Sequence, residues 1–246
     1  IMPSLVGSEM CIRDSCIADF FFDDFHHNGA YLLSYWRATA LFGYEKDKPT
    51  TESWYKFPEL NTEDQYQFFL DAGPLSNLDE YYKEDNVFWQ QLKDHPNYDE
   101  FWKSRGIIQH LEDIKPATMV VGGWFDAEDL YGPLTTYKTI EKTSNNYNTI
   151  VMGPWSHGDW ARTKERQTIG NVYFGDNISK FFQEEIETKF FNHFLKEDGK
   201  GSSGLPEAYV YDTGRNEWET YDVWPPKNIE EKTYSLGQHQ SMGEIM

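Results

Sequence analysis

Lys115-Pro-Ala-Thr-Met-Val-Val-Gly-Gly-Trp-Phe-Asp126 and Asn148-Thr-Ile-Val-Met-Gly-Pro-Trp-Ser-His157 decide the reading of this chain. Each is a short apolar run left through glycine, and the segment between them, Glu128 to Thr143, has helical spacing with Pro133 in its early part. Strand, helix, strand predicts a parallel sheet, whose strands are covered on both faces and so read as unbroken apolar runs. In open α/β sheets ligands gather at the carboxyl ends of strands. Asp126 and His157 are predicted at two such ends.

Composition bounds what such a sheet can serve. The 246 residues are 39% hydrophobic and 17% aromatic, enough for one sizeable core or two modest ones. A formal charge of −19 and a pI near 4.7 disfavour phosphate backbones and anionic membranes and suit a positively charged substrate. No nucleic-acid role is expected, and no apolar run is long enough to span a membrane. Cys11 and Cys16 lie too close together to staple a domain of this size. Met2 to Ser15 resembles the conceptual translation of a sequencing adapter, so residues 1–16 are set apart as a non-native segment.

Outward from the central unit, Ile17 to Phe22 reads as the tail of a buried strand running into an acidic loop, which puts Asp24 near a strand end. Residues 30–110 change to aromatic, charged segments with helical spacing (Asp64 to Leu70, Leu78 to Asp85, Phe88 to Leu92), punctuated by Pro49, Pro58, Gly73-Pro74 and Pro96. This is a helical insertion, and aromatics such as Trp54, Tyr66, Tyr82, Trp89 and Trp102 are expected mainly in its core. Ile178 to Leu195 is an amphipathic helix carrying Phe181, Phe182, Ile186, Phe190, Phe191 and Phe194. Gly199-Lys-Gly-Ser-Ser-Gly204 has linker composition. Glu207 to Tyr211 and Glu217 to Tyr221 alternate as a hairpin around Asp212-Thr-Gly-Arg-Asn216. So small an antiparallel sheet is not stable alone, and a truncated C-terminal β-domain is expected.

His157 in this setting reads as a general base, an imidazole able to take a hydroxyl proton and return it to a leaving group. The plainer role is a loop histidine satisfying backbone groups, and the acid at the neighbouring strand end favours chemistry. Asp126 would orient that imidazole, or else cap the following helix, two roles that one carboxylate cannot easily fill together. Glu128 and Asp129 suit a first helical turn. With Asp23 and Asp24 they could instead crowd around a substrate ammonium. His26 and His27, adjacent on an extended strand, point to opposite faces, and no metal ligand set is expected. Acid followed by histidine is the order found downstream of the nucleophile in an α/β-hydrolase triad, yet no serine lies in Gly-x-Ser-x-Gly. Ser156 lacks the flanking glycines, and Ser202 and Ser203 belong to the linker.

Asp23-Asp-Phe-His-His-Asn-Gly-Ala30, Gly122-Gly-Trp-Phe-Asp-Ala-Glu-Asp-Leu-Tyr-Gly132, Val151-Met-Gly-Pro-Trp-Ser-His-Gly158, and Trp218 with Trp224-Pro-Pro226 together resemble the CocE/NonD hydrolases, above all the α-amino acid ester hydrolases, relatives of X-Pro dipeptidyl-peptidases and cocaine esterase. The resemblance implies an α/β fold: the C-terminal portion of an α/β-hydrolase (17–29 and 111–198) with a helical cap (30–110), a linker (199–206) and a truncated β jelly-roll (207–246). It implies Asp126 and His157 as acid and base of a Ser-His-Asp triad, and Asp24, Glu128 and Asp129 as holders of a substrate's α-ammonium group. The implied reaction is acyl transfer from α-amino acid esters or amides, without cofactor, in a protein for which a homo-oligomer is allowed. The nucleophile belongs upstream of Ile17, so the chain as written is expected to be inactive. Members of the family are often exported, to the periplasm or beyond, but the compartment is not legible here. An X-Pro dipeptidyl-peptidase or cocaine-esterase-like activity is the alternative within the class, and a non-catalytic, acidic aromatic binding module the alternative outside it.

Overall fold

The computed structural model describes residues 18–43, 48–49, 51, 57–82, 86–162, 164–196 and 201–233. The 1–16 segment, both cysteines and Trp54 lie outside them. The first described element is a π-helical turn, Phe21–Phe25, followed by a small hairpin of β1 (His26–His27) and β2 (Ala30–Tyr31). The strand expected at Ile17 to Phe22 is thus corrected over its described residues. Asp19 accepts the Phe21 N–H through Oδ1 (2.9 Å), and its carbonyl accepts the N–H groups of Phe22 and Asp23. A carboxylate two residues ahead of an apolar run nucleates a turn before any sheet partner is met.

The segment 30–110 is mainly helical in its described residues. It contains α1 (Leu33–Phe42), α2 (Gln65–Ala72), α3 (Asp79–Tyr82), α4 (Val87–Asp94) and α5 (Glu100–Lys103). Short polar residues start three of them: Asp64 accepts from Gln67 N, Asn86 from Trp89 N and Asp99 from Phe101 N, each satisfying a donor that a helix start leaves orphaned. Trp36, Leu78, Tyr82, Trp89 and Trp102 close over Phe21 and Phe25 in one cluster. Among the described residues the aromatics of the insertion are largely core, with Phe42, Phe57, Tyr66 and Tyr98 exposed.

Next come β3 (Thr118–Gly123), α6 (Tyr131–Thr143) and β4 (Asn148–Gly153). All six residues of each strand are buried, and they pair in parallel register from Thr118 opposite Asn148 to Gly123 opposite Gly153. Alternation divides their side chains. Met119, Val121 and Val151 face one layer, and Val120, Ile150 and Met152 the other, with Tyr137 of α6. A second small hairpin, β5 (Arg166–Ile169) with β6 (Val172–Asp176), was not anticipated from sequence. The expected helix from Ile178 follows as alternating segments: α7 (Ile178–Phe181), a π-turn (Phe182–Glu187), α8 (Thr188–Phe191) and a π-turn (Asn192–Lys196). Its Ile178, Phe182, Ile186 and Phe190 cover the first layer. Among the described residues no helix is long and apolar enough to cross a membrane.

The C-terminal hairpin requires a correction. β7 (Ala208–Asp212) pairs in parallel with β4, placing Val151 opposite Tyr209, and β8 (Glu217–Tyr221) pairs antiparallel with β7. One four-stranded sheet results, in the order β3-β4-β7-β8, so residues 208–221 extend the α/β sheet instead of opening a separate sandwich. The glycine-serine run mimics a linker in composition, yet Ser203 Oγ lies 3.2 Å from the Tyr147 hydroxyl and Leu205 packs on the core.

Trp155, fully buried just past β4, joins these layers: its ring meets Trp160, Phe182 and Trp218 of β8. Trp155→Ala is expected to destabilise the fold by about 3–5 kcal/mol, read from the shift of a urea denaturation curve at unchanged slope.

Candidate active site

Flush register brings the two strand ends side by side, and backbone hydrogen bonds lock the loops that leave them. Trp124 N donates to Gly153 O (2.9 Å), Phe125 N to Trp155 O (3.0 Å) and Asp126 N to Gly123 O (3.1 Å). The glycines are required for this approach. A Cβ on Gly123 would collide with the Trp155 carbonyl oxygen, and one on Gly153 with the Trp155 ring.

Asp126 does not cap the following helix, whose N-cap is Leu130; its two oxygens divide between a local turn and the imidazole. Oδ1 accepts from Glu128 N and Asp129 N (3.0 Å each), fixing the turn ahead of α6. Oδ2 lies 3.3 Å from His157 Nδ1. The helix expected from Glu128 accordingly begins only at Tyr131, because a carboxylate bonded two and three residues ahead makes a tight turn. His157 Nδ1 is also 3.1 Å from Glu128 Oε2 and 3.6 Å from Asp129 Oδ2. Its side chain is 48% exposed while that of Asp126 is fully buried. One face of the imidazole is therefore anchored by acids, and the ring remains within reach of a reacting molecule.

The loop bearing the histidine is clamped from behind by Asp159. This buried carboxylate accepts from Ser156 N (3.2 Å), Ser156 Oγ (2.7 Å), Gln167 Nε2 (3.2 Å) and Lys164 Nζ (2.5 Å). Burial pushes its pKa up, but the bonds from Lys164, Ser156 and Gln167 prevail and hold it below the usual range. Ser156 thus spends its hydroxyl on loop structure. Gly158 follows with φ +72°, a left-handed turn that glycine adopts without strain.

Asp24 joins the same site from the π-helical turn of Phe21–Phe25, not from a strand end. Burial raises it to about 7, opposed by a hydrogen bond with Tyr35 and supported by the charges of Glu128, Asp23 and Asp126. Asp129 is driven to about 8 by burial, then by Asp126, Asp24, Asp23 and Glu128. Asp23 rises to about 6 by burial, although Gly132 N (2.6 Å), Ala18 N and Asp19 N all donate to it. Its bond to Gly132 ties the turn to the start of α6. Tyr35 of α1 bonds both Asp24 and Glu128, and burial followed by these acids holds its hydroxyl firmly protonated. No local signal marked Tyr35 in the sequence.

Of the five sequence-predicted site residues, Asp126, Glu128 and Asp129 surround the His157 imidazole, and Asp24 joins the same acidic cluster through Tyr35 and the charges of Glu128 and Asp126. His26 and His27 make other contacts. His26 is buried and stacked on Phe21 with ring centroids 4.1 Å apart, and His27 Nε2 lies 2.9 Å from Asp23 O. Donor atoms of Asp126, Glu128 and His157 lie within 4.8 Å of one another, a set that the expectation of no metal ligands left out.

With this geometry in view, the similarities to known proteins are consistent. Residues 7–159 match the family model of X-Pro dipeptidyl-peptidase (S15 family). The first of those residues fall in the 1–16 segment outside the described part. Cocaine esterase of Rhodococcus sp. (strain MB1 Bresler) is 25% identical over 150 residues, 60% of this chain and 25% of that protein. Among solved structures, an aminopeptidase from the marine sediment archaeon Thaumarchaeota archaeon superposes with a TM-score of 0.69 and 28% identity, over 85% of this chain and 34% of its own. An α-amino acid ester hydrolase does so with 0.71 and 25%, over 83% and 33%. The fold is that of an α/β protein with a partly parallel sheet. The chain belongs to the X-Pro dipeptidyl-peptidase (S15) family, the CocE/NonD group of hydrolases, and spans about a third or less of the length of these relatives.

The raised carboxylates set a pH dependence. Asp129 binds more protons folded than unfolded between its unfolded value, 3.8, and about 8. Its contribution to stability is therefore full below that window and is lost as pH rises through it. Asp129→Asn should leave stability nearly unchanged near pH 4 and raise it by on the order of 1–3 kcal/mol at pH 8, measured as the difference between variant and parent in urea.

Proposed function

We infer that Asp126 and His157 are the acid and base of an acyl-transfer triad, and that Asp24, Glu128 and Asp129 receive the α-ammonium group of an amino acid ester or amide. The observation that carries the reading is the convergence of Asp126 and His157 from adjacent parallel strands, with Nδ1 on the acid side and the ring partly exposed. Asp126 would fix the tautomer with Nδ1–H, leaving Nε2 to take the proton of a hydroxyl nucleophile and pass it to the leaving group. The imidazolium formed in that step is stabilised by the neighbouring carboxylates.

The ammonium reading rests on electrostatics. Asp24 and Asp129 are buried, and the charges acting on them are other carboxylates, so a cation entering the cluster relieves repulsion and lets both acids ionise. The α-amino acid ester hydrolase among the structural relatives supports this substrate class, and the aminopeptidase supports recognition of a free amino terminus. Dipeptidyl-peptidase activity uses the same ammonium contact and is the second reading, favoured by the family match. The nucleophilic serine is proposed to lie in sequence preceding Ile17, with the isolated chain inactive.

Two measurements test this. The 246-residue chain should bind phenylglycine methyl ester in the millimolar range or tighter and ignore its N-acetyl form, by calorimetry; equal binding of both would sink the ammonium site. In a chain that also carries a Gly-x-Ser-x-Gly segment, His157→Asn and Asp126→Asn should each lower kcat/KM for that ester by about 10³-fold or more, and near-parental rates would sink the triad.

A further inference from the structure

We propose that the Asp126, Glu128 and His157 cluster, backed by Asp129, is a site for a divalent transition metal ion such as Zn²⁺, which binds reversibly and silences the base. Two ligand atoms on one tetrahedral zinc, each about 2.1 Å from it, stand roughly 3.4 Å apart. His157 Nδ1 lies 3.1 Å from Glu128 Oε2, 3.3 Å from Asp126 Oδ2 and 3.6 Å from Asp129 Oδ2. Three acids therefore approach one imidazole nitrogen at distances close to that value, and the donor atoms of Asp126, Glu128 and His157 all lie within 4.8 Å of one another. The carboxylate oxygens suit hard and borderline cations alike, while the imidazole nitrogen selects a transition metal such as zinc over magnesium.

A second observation points to a positive ligand independently of that spacing. Asp129 is buried, 1% exposed, and neither of its carboxylate oxygens has a hydrogen-bond partner among the described residues. Oδ1 of Asp24, equally buried, is also without one. Buried carboxylate oxygens without donors are costly. Asp129 turns Oδ2 toward the same nitrogen as its neighbours, and a divalent ion there would supply the missing charge.

Binding changes the imidazole's tautomer. A metal at Nδ1 takes the lone pair there, so the ring proton must sit on Nε2. Nε2 then cannot accept a proton from a hydroxyl, and the ion also occupies the carboxylates that would meet an ammonium group. The inhibitory consequence rests on the function proposed above, while the metal site rests on geometry alone.

Calorimetry with zinc chloride on the full 246-residue chain at pH 7.5 tests the site directly, with magnesium chloride in parallel. One zinc ion should bind with a dissociation constant in the micromolar range, and magnesium at least about 100-fold more weakly. His157→Asn and Glu128→Gln, both at positions exposed enough to be tolerated, should each weaken zinc at least about tenfold, with unchanged circular dichroism. Zinc should also block phenylglycine methyl ester binding. A flat zinc isotherm, equal affinity for magnesium, or binding that survives His157→Asn but is lost in His95→Asn, at the separate His95–Asp99 pair, would overturn the proposal. A flat zinc isotherm with intact ester binding leaves the proposed function standing; intact zinc binding without ester binding does the reverse.

Discussion

The backbone hydrogen bonds between the loops leaving β3 and β4 are the constraint on which the site depends. Parallel pairing delivers two strand ends at equal height, but not two side chains in contact. Contact follows because Trp124 and Phe125 donate across to Gly153 and Trp155, an approach open only to glycine at 123 and 153. With those loops fastened, Asp126 Oδ2 stands 3.3 Å from His157 Nδ1. Both of its oxygens are committed, one to the turn ahead of α6 and one to the imidazole.

Around this fixed pair the protein accumulates negative charge at a cost. Asp23, Asp24 and Asp129 are buried within reach of one another's fields, and each is held above the ordinary carboxylate range chiefly by desolvation. A fold selected for stability alone would spread such groups over its surface, where water screens them. Their concentration beside an exposed imidazole is the kind of perturbed cluster that functional sites hold, and it is the basis of the ammonium contact proposed above. Asp159 shows the opposite treatment a few residues away. Equally buried, it is supplied with Lys164, Arg162, Ser156 and Gln167 and stays a stable anion that shapes the histidine loop.

Sequence made the centre of this arrangement legible and its margins less so. The six-residue apolar runs at Thr118 and Asn148 admit only buried parallel strands once a helix separates them, so Asp126 and His157 could be paired from the page. The Phe20-Phe-Phe triplet was misread because a short apolar run fits a strand or a helical turn equally well, and the carboxylate of Asp19 that decides the matter is a local hydrogen bond, not a periodicity. The hairpin from Ala208 to Tyr221 was recognised as strands but assigned to the wrong sheet, since composition cannot tell a glycine-serine crossover from a linker. Tyr35 was invisible because its role arises only when α1 packs beside a loop more than ninety residues away.

The partnership of Trp155 with Trp218 has a temporal consequence. During synthesis the acid and the histidine leave the ribosome before residues 208–221, and until those residues arrive β4 lacks the partner that β7 becomes. The histidine loop then lacks the indole that later lies against it. A nascent chain can hold every chemical group of the cluster and still lack a settled site, so the site settles only after residues 208–221 are translated.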